Sequence, residues 1–520
     1  MSKIDKKPER EQFMIHLRKK KRQEIFSKKR RLLKTQQEQE DQCTAETPLP
    51  ESIPDYITSL FSALPSPASA CTQRRFLAHL SAVAEQHGEE VFREIIDQGF
   101  GEVLGRCFEW EVEGDLVEGL CMVCCDITFL QDEGLIQKFL NTEPNLIDFL
   151  FKVLKTEPRS EIIDSVIISL TNLCITGTYT EEIVNRGYIS LVEEQLDRAE
   201  EVGMKWVKNI AWSLATISNP FITEDNKRIL IITCQRLFAF QDQETTNECM
   251  KCLSRLLDES QAFFLIHKFD MFPYLFNMLK GAEDRCLIHL LLEFYALLFC
   301  YEEIDLCIMV FTKEFQIALE DIFHAEVRYK SQTSEQEQDL NSSYYIEGVI
   351  LDIFQNAAAK VDQAASMLLN SPLMQILTFE QYDDLNVVGA SIQLFCNVFS
   401  RLDFDDPNSK EFITVKTCSF NSSMSSRLMT NFENLVEILE SQYLPPEIVY
   451  TCLKCLYQIL KFSSEHSIPD YMQYFKERGG EEILEKYTSD TNYNNAEICS
   501  LILSEYFDHD SNFYEPQEFQ

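Results

Sequence analysis

The chain has 520 residues, 45 % of them hydrophobic, with 15 Gly, 16 Pro and a formal net charge of −37. This is enough apolar material for a large core and too little Gly and Pro for a loop-rich all-β protein, so long helices are expected, in several domains or one extended repeat array. So acidic a chain disfavours nucleic acid and anionic lipid, both of which need a basic footprint, and favours basic partners.

In chain order, residues 1–34 stand apart: they hold 14 Lys and Arg against 4 Asp and Glu, a local charge of +10, while the remaining residues sum to −47. A basic arm is therefore tethered to an acidic body, and opposite fields attract over a Debye length of about 8 Å at physiological salt. On charge alone the arm is as readily no more than a solvated charge run or a nuclear-localisation patch as it is a segment that works with the body. The N-terminus lacks a hydrophobic stretch after its charges, and no apolar run reaches the ~18 residues of a membrane span, so a soluble, intracellular protein without a secretory signal is expected. Residues 35–54, TQQEQEDQCTAETPLPESIP, are polar, acidic and punctuated by proline, the composition of a flexible linker.

From residue 55 the pattern changes to apolar runs of helical period, among them YITSLFSAL, LIDFLFKVLK, YLFNMLK and LVEILES, with no strict alternation to compete with them. The body, residues 55–508, is predicted to be all-α. Two units recur. One is a helix ending at Gly followed by an amphipathic helix: IIDQGFGEVL, IVNRGYISLVEEQL and FKERGGEEILEKY. The other is a wholly apolar helix: VIISLTNL, NIAWSLATI, CMKCLSRLL, FYALLF, ILDIFQNAA, SIQLFCNVF and CLKCLYQIL. Their spacing near 40 residues predicts an α-solenoid of about ten stacked repeats whose innermost helices line one groove. Polar stretches at 326–343 and 403–425 interrupt the period and read as loops on the stack. Residues 509–520 form an acidic, aromatic tail.

The head LRKKKRQEIFSKKR resembles the importin-β-binding segment of importin-α, with Leu17, Arg18, Lys19, Lys21 and Arg22 as its first cluster and Lys28, Lys29 and Arg30 as its second. KNIAWSLATI is similar to the family's Asn-x-x-Trp-x-Leu-x-Asn helix, VIISLTNLCITGT to the same helix one repeat earlier, and the C-terminal FKERGGEEILEKY…SEYF to its closing repeat. The matches run from head to tail in order. The resemblance implies a right-handed armadillo-repeat solenoid that binds basic nuclear-localisation-signal proteins in its groove and importin-β through its arm, shuttling between cytoplasm and nucleus. It also implies an export receptor at the C-terminal repeats, although the tail itself is as readily a solubilising segment. The arm's second cluster would mimic cargo in the empty groove, competing at an effective concentration on the order of millimolar because it is tethered.

In the family, Trp faces sandwich the stems of Lys or Arg, and an Asn one turn on holds the peptide backbone. Here Trp212 occupies a Trp position with Thr216 where Asn is expected, and the preceding repeat has Asn172 but Ile168 for the Trp. Before that, GLCMVCCDI offers Cys121 with Cys125, or Met122 with Asp126. Later repeats offer Lys251 with Arg255, which would repel basic cargo, then Leu351 with Gln355, and Ile392 with Cys396, or Asn397 by a one-residue shift. The groove residues expected are therefore Ile168, Asn172, Trp212, Thr216 and Asn397, in an array that suits a narrowed cargo range. An armadillo scaffold that assembles other proteins without carrying cargo is the alternative, and a nuclear regulator whose arm is only its own localisation signal is a third reading.

Three CxxC pairs, Cys121/Cys124, Cys249/Cys252 and Cys452/Cys455, lie far apart in apolar runs, where i,i+3 spacing places both thiols on one helix face; they read as reduced core residues and not as zinc ligands. No phosphate loop, nucleophile elbow, paired-carboxylate or His-based metal pattern is present in the sequence, so no enzyme and no cofactor is expected.

Overall fold

The computed structural model describes residue 94 and residues 115–507, except 130–132, 142–144, 176, 199–202, 220–221, 258–259, 301–303, 333–344, 370, 372, 374–384, 401–422, 441–444, 466–468 and 489–492. Every regular element among the described residues is helical. By its contacts the chain divides after Cys249 into two compact units.

The described helices of the first unit are α1 (Asp115–Phe129), α2 (Glu133–Leu140), α3 (Leu146–Thr156), α4 (Ser160–Cys174), α5 (Thr180–Asn185), α6 (Tyr188–Gln195), α7 (Met204–Ile217) and α8 (Glu224–Phe238), followed by α9 (Gln243–Leu256), in which the division falls. A helix that is apolar all round must be buried all round. The run VIISLTNL in α4 obeys this: α1, α3 and α7 all pack on it, and Val166 to Cys174 are buried throughout. The long helices α1, α4 and α7 thus pack in sequence, one from each of three successive repeats.

Polar side chains within this stack are tied across the repeats, as buried polar groups must be. Tyr188 Oη lies 2.7 Å from Ser213 Oγ, and Ser213 Oγ lies 2.7 Å from Thr171 Oγ1, so one hydroxyl cluster joins α4, α6 and α7. Burial pushes the Tyr188 hydroxyl well above the ordinary tyrosine range and keeps it a donor. One turn before Ile168, Asp164 Oδ1 accepts from Asn209 Nδ2 at 2.5 Å, both side chains being buried. On the surface, Arg186 pairs with Asp148 at 2.5 Å and Glu182 at 2.6 Å, and Arg236 with Glu193 and Asp197 at 2.6 Å each.

The second unit contains α10 (Ser260–Lys268), α11 (Met271–Gly281), α12 (Arg285–Cys300), α13 (Ile304–Val310), α14 (Lys313–Gln332), α15 (Ile346–Lys360), α16 (Asp362–Leu369), α17 (Leu385–Ser400), α18 (Ser423–Glu440), α19 (Pro446–Glu465), α20 (Pro469–Glu477), α21 (Gly480–Thr488) and α22 (Tyr493–Tyr506). Here α12, α15, α17, α19 and α22 pack consecutively on one another. Phenylalanine fills the first of these repeats: Phe299, Phe311 and Phe315 lie 5.8 to 6.3 Å apart, with Tyr295 4.8 Å from Phe315 and Phe354 6.2 Å from Phe311. These are tilted or edge-to-face contacts of the kind aromatic quadrupoles favour.

The recurring helix–Gly–helix unit has a backbone cause. Gly187 and Gly479 enter α6 and α21 with φ of 84° and 73°, in the left-handed region where a side chain costs about 1–2 kcal/mol. The equivalent position before α11 is Asp270, at φ 53°, and Asp is among the few residues that tolerate this conformation. The third copy expected from sequence, around Gly99, lies outside the described residues.

The polar stretch expected to be loop from residue 326 begins instead as helix, because α14 runs on to Gln332. Glu326 is buried and pairs with Arg285 of α12, whose guanidinium lies 4.4 Å from the Tyr329 ring centroid. The second such stretch also ends in helix, as α18 starts at Ser423.

Candidate functional site

In the first unit, Cys125, Ile168 and Trp212 come together as one small cluster, with relative exposures of 4, 5 and 5 % and Ile175 packed against it. They stand at equivalent positions of α1, α4 and α7, 43 and 44 residues apart, so the repeat itself creates the ladder. The register for α1 is therefore Cys125 followed by Phe129, and neither Cys121 with Cys125 nor Met122 with Asp126. Trp212 fills the space between its neighbours with most of its indole. Asn172 is also buried, and its amide Nδ2 lies 3.4 Å from Thr128 Oγ1 of the preceding repeat. Thr216 is half-buried and donates back to the Trp212 carbonyl at 2.9 Å. At the start of α7, Lys208 is held by Asp242 at 3.2 Å and Glu244 at 3.1 Å.

The matching face in the second unit is built of amides. Asn397 Nδ2 donates to the Gln355 carbonyl at 2.9 Å, and Asn397 Oδ1 accepts from Gln393 Nε2 at 2.8 Å. Gln355 Nε2 donates to Asp352 Oδ1 at 2.6 Å, and Asn356 Nδ2 lies 3.5 Å from Cys300 Sγ. Asp352, Gln355, Asn356, Gln393 and Asn397 are all half-buried, whereas Leu351, Ile392 and Cys396 are core residues. The outward register is thus Asp352 with Asn356 and Gln393 with Asn397, one residue later than Leu351 with Gln355 and Ile392 with Cys396. Sequence reasoning missed Asp352, Asn356 and Gln393. The signal was there, because Gln393 and Asn397 repeat the i,i+4 spacing of Ile168 with Asn172 and of Trp212 with Thr216.

Lys251 and Arg255 are half-buried in α9. The arm residues Leu17, Arg18, Lys19, Lys21, Arg22, Lys28, Lys29 and Arg30 lie outside the described residues, as does Trp110. Trp206 is buried in α7.

The described cysteines are all free thiols, and each CxxC pair lies on one helix. Burial pushes Cys121 far above the ordinary thiol range and Cys174 up to about 12, so these thiols stay protonated at neutral pH and are poor nucleophiles. No group of three His, Cys, Asp or Glu side chains that could hold a metal ion occurs among the described residues. None of their helices is long and apolar enough to cross a membrane.

Residues 5–73 match the family described as the importin beta binding domain. No curated protein matches the chain. Among solved structures, the chain is similar to one from work on a phosphorylation switch controlling the interaction between cadherin and beta-catenin, at 12 % identity and a TM-score of 0.46, over 88 % of this chain and 91 % of that one. It is also similar to a designed armadillo repeat protein, at 17 % identity and a TM-score of 0.39, over 46 % of this chain and 99 % of that one. An engineered protein gives the same identity and TM-score over 46 % of this chain and 94 % of its own.

A stretch matching the importin beta binding domain over residues 5–73 is thus followed, among the described residues, by an all-α stack of helices.

Proposed function

We propose that the chain is a nuclear import adaptor, engaging importin-β through its basic N-terminal arm and basic nuclear-localisation-signal proteins through the inner faces of its repeats. The observation that carries this is the match of residues 5–73 to the importin beta binding domain. The amide face of α15 and α17 supports the cargo half. Half-buried Asn and Gln side chains at helical spacing can take both the N–H and the C=O groups of an extended backbone, while the acidic body selects ammonium groups over long range. In this reading the protein shuttles between cytoplasm and nucleus, and an export receptor acts at the closing repeats α20–α22.

One observation favours the alternative, an armadillo scaffold without cargo: Trp212 is 5 % exposed and leaves little indole face for a lysine stem. The two readings separate in an anisotropy titration of the full chain with a labelled Lys-rich signal peptide, with and without importin-β. The adaptor binds the peptide, more tightly once importin-β has taken the arm, and loses about tenfold in affinity on replacing Gln393 and Asn397 by Ala, the worth of one to two hydrogen bonds. Absence of peptide binding under both conditions leaves the scaffold.

A further inference from the structure

Helix α19 carries an unusual face for so acidic a protein. Tyr450, Lys454, Tyr457 and Lys461 follow one another at helical spacing along one side of it. Tyr450 is 38 % exposed, Lys454 and Lys461 are exposed, and Tyr457 is half-buried. The neighbours fix which way this side looks. Gln458, one residue after Tyr457, accepts from Cys396 Sγ of α17 at 2.9 Å, and Tyr457 Oη donates to Glu505 Oε1 of α22 at 3.2 Å. The Tyr–Lys side therefore lies between α17 and α22 on the open face of the stack. Neither Lys454 nor Lys461 forms an ion pair with a described residue. The Cys396 thiol of α17 feels the charge of Lys454, and Glu505 of α22 and Glu465 at the end of α19 stand near Tyr457, with Glu505 engaged by its hydroxyl.

The chain supplies a complement one residue beyond the described structure. Residues 508–520, DHDSNFYEPQEFQ, carry Asp508, Asp510, Glu515 and Glu518 together with Phe513, Tyr514 and Phe519. They start directly after Phe507, which is anchored by its backbone N–H to the Leu503 carbonyl at 2.9 Å and packs 5.9 Å from the Phe475 ring. The contact of Tyr457 with Glu505 brings the last turn of α22 alongside the middle of the Tyr–Lys face. That face spans about 16 Å from Tyr450 to Lys461 at the helical rise, and thirteen residues reach about 40 Å when extended.

We propose that the acidic, aromatic segment 508–520 docks on the Tyr450–Lys454–Tyr457–Lys461 face of α19, its carboxylates meeting the two ammonium groups and its rings the two tyrosines. The tether makes this contact intramolecular, at an effective concentration on the order of millimolar, so a weak contact suffices to occupy the face. An acidic partner arriving at the same repeats must displace the segment first.

The test is lysine acetylation footprinting of the full chain by mass spectrometry, with the exposed Lys152 and Lys155 as internal references. In the unaltered protein Lys454 and Lys461 should label several-fold more slowly than the references. In the variant Asp508→Asn, Asp510→Asn, Glu515→Gln, Glu518→Gln, or at high salt, their rates should rise roughly threefold or more while the references stay constant. The variant leaves every described helix untouched, so loss of fold does not enter. Labelling of Lys454 and Lys461 at the reference rate overturns the proposal and leaves the face open to an acidic partner. Protection that survives neutralisation of the four carboxylates overturns it too, and protection that grows with protein concentration assigns the face to another copy's tail.

Discussion

Replacing Trp212 by alanine separates a packing role from a ligand role for the residue that most resembles a groove tryptophan. The side chain is 5 % exposed and packs with Cys125 and Ile168 at the same level of the two preceding repeats. Truncation therefore removes nearly all of a large buried surface and leaves a cavity, for which large aromatic-to-alanine changes cost about 3–5 kcal/mol. In a repeat stack each element is stabilised by its immediate neighbours, so the loss should concentrate in α4 and α7. Native-state hydrogen exchange reads it: amides of α4 and α7 should exchange roughly 10²- to 10⁴-fold faster, at about tenfold per 1.4 kcal/mol, while those of α17 and α19 keep their rates. Trp212→Phe, which retains most of the volume, should lose much less. Unchanged protection in α4 and α7 in the alanine variant, with loss of signal-peptide binding, would refute the packing argument and make the indole an open slot.

Gly187→Ala should lower stability by about 1–2 kcal/mol through backbone conformation alone, since φ is 84° and nothing lies within 4 Å of the added Cβ; a thermal melt with the usual midpoint contradicts it. Gly480→Ala should be worse than its ordinary φ suggests, because a Cβ there would stand 2.7 Å from the Phe475 carbonyl oxygen and 2.6 Å from its ring. Arg186→Ala should cost less than about 1 kcal/mol despite two short ion pairs, because all three side chains are substantially exposed; a larger loss that persists at high salt contradicts that. Glu157, held below the usual carboxylate range by the hydrogen bond from Arg159, contributes stability above the unfolded pKa, and this is lost as pH falls through its depressed folded value. Urea midpoints taken downward from pH 6 should therefore fall less below about pH 4.5 in Glu157→Gln than in the unaltered chain, and superimposable limbs contradict the assignment.

The helices were legible because the apolar run of α4 and its relatives admits no other reading, and the Arg-Gly turns before α6 and α21 announce themselves by a residue free to take positive φ. The turn before α11 was harder to see, since Asp270 does the work of glycine. The extension of α14 was not legible: EVRYKSQ is polar enough for a loop, and only the reach of Arg285 from another helix shows why it stays helical. On α15 the expected pair Leu351 with Gln355 lies one residue before the outward one, whereas on α17 the sequence already offers Asn397 by a one-residue shift. In a helix buried on three sides, Leu351 and Asp352 differ by 100° in direction, and a single apolar pattern does not say which residue looks outward. The amide contacts across repeats, Asn397 to the Gln355 carbonyl above all, settle that direction.

Importin-β is the partner whose binding decides whether this chain is an adaptor. Its affinity should be measured for the full chain and for the chain carrying Glu in place of Arg18, Lys19, Lys21, Arg22, Lys28, Lys29 and Arg30. Tight binding by the former and its loss in the latter is the result expected of an adaptor with a working arm. No binding by the full chain, or equal binding by both, would contradict it.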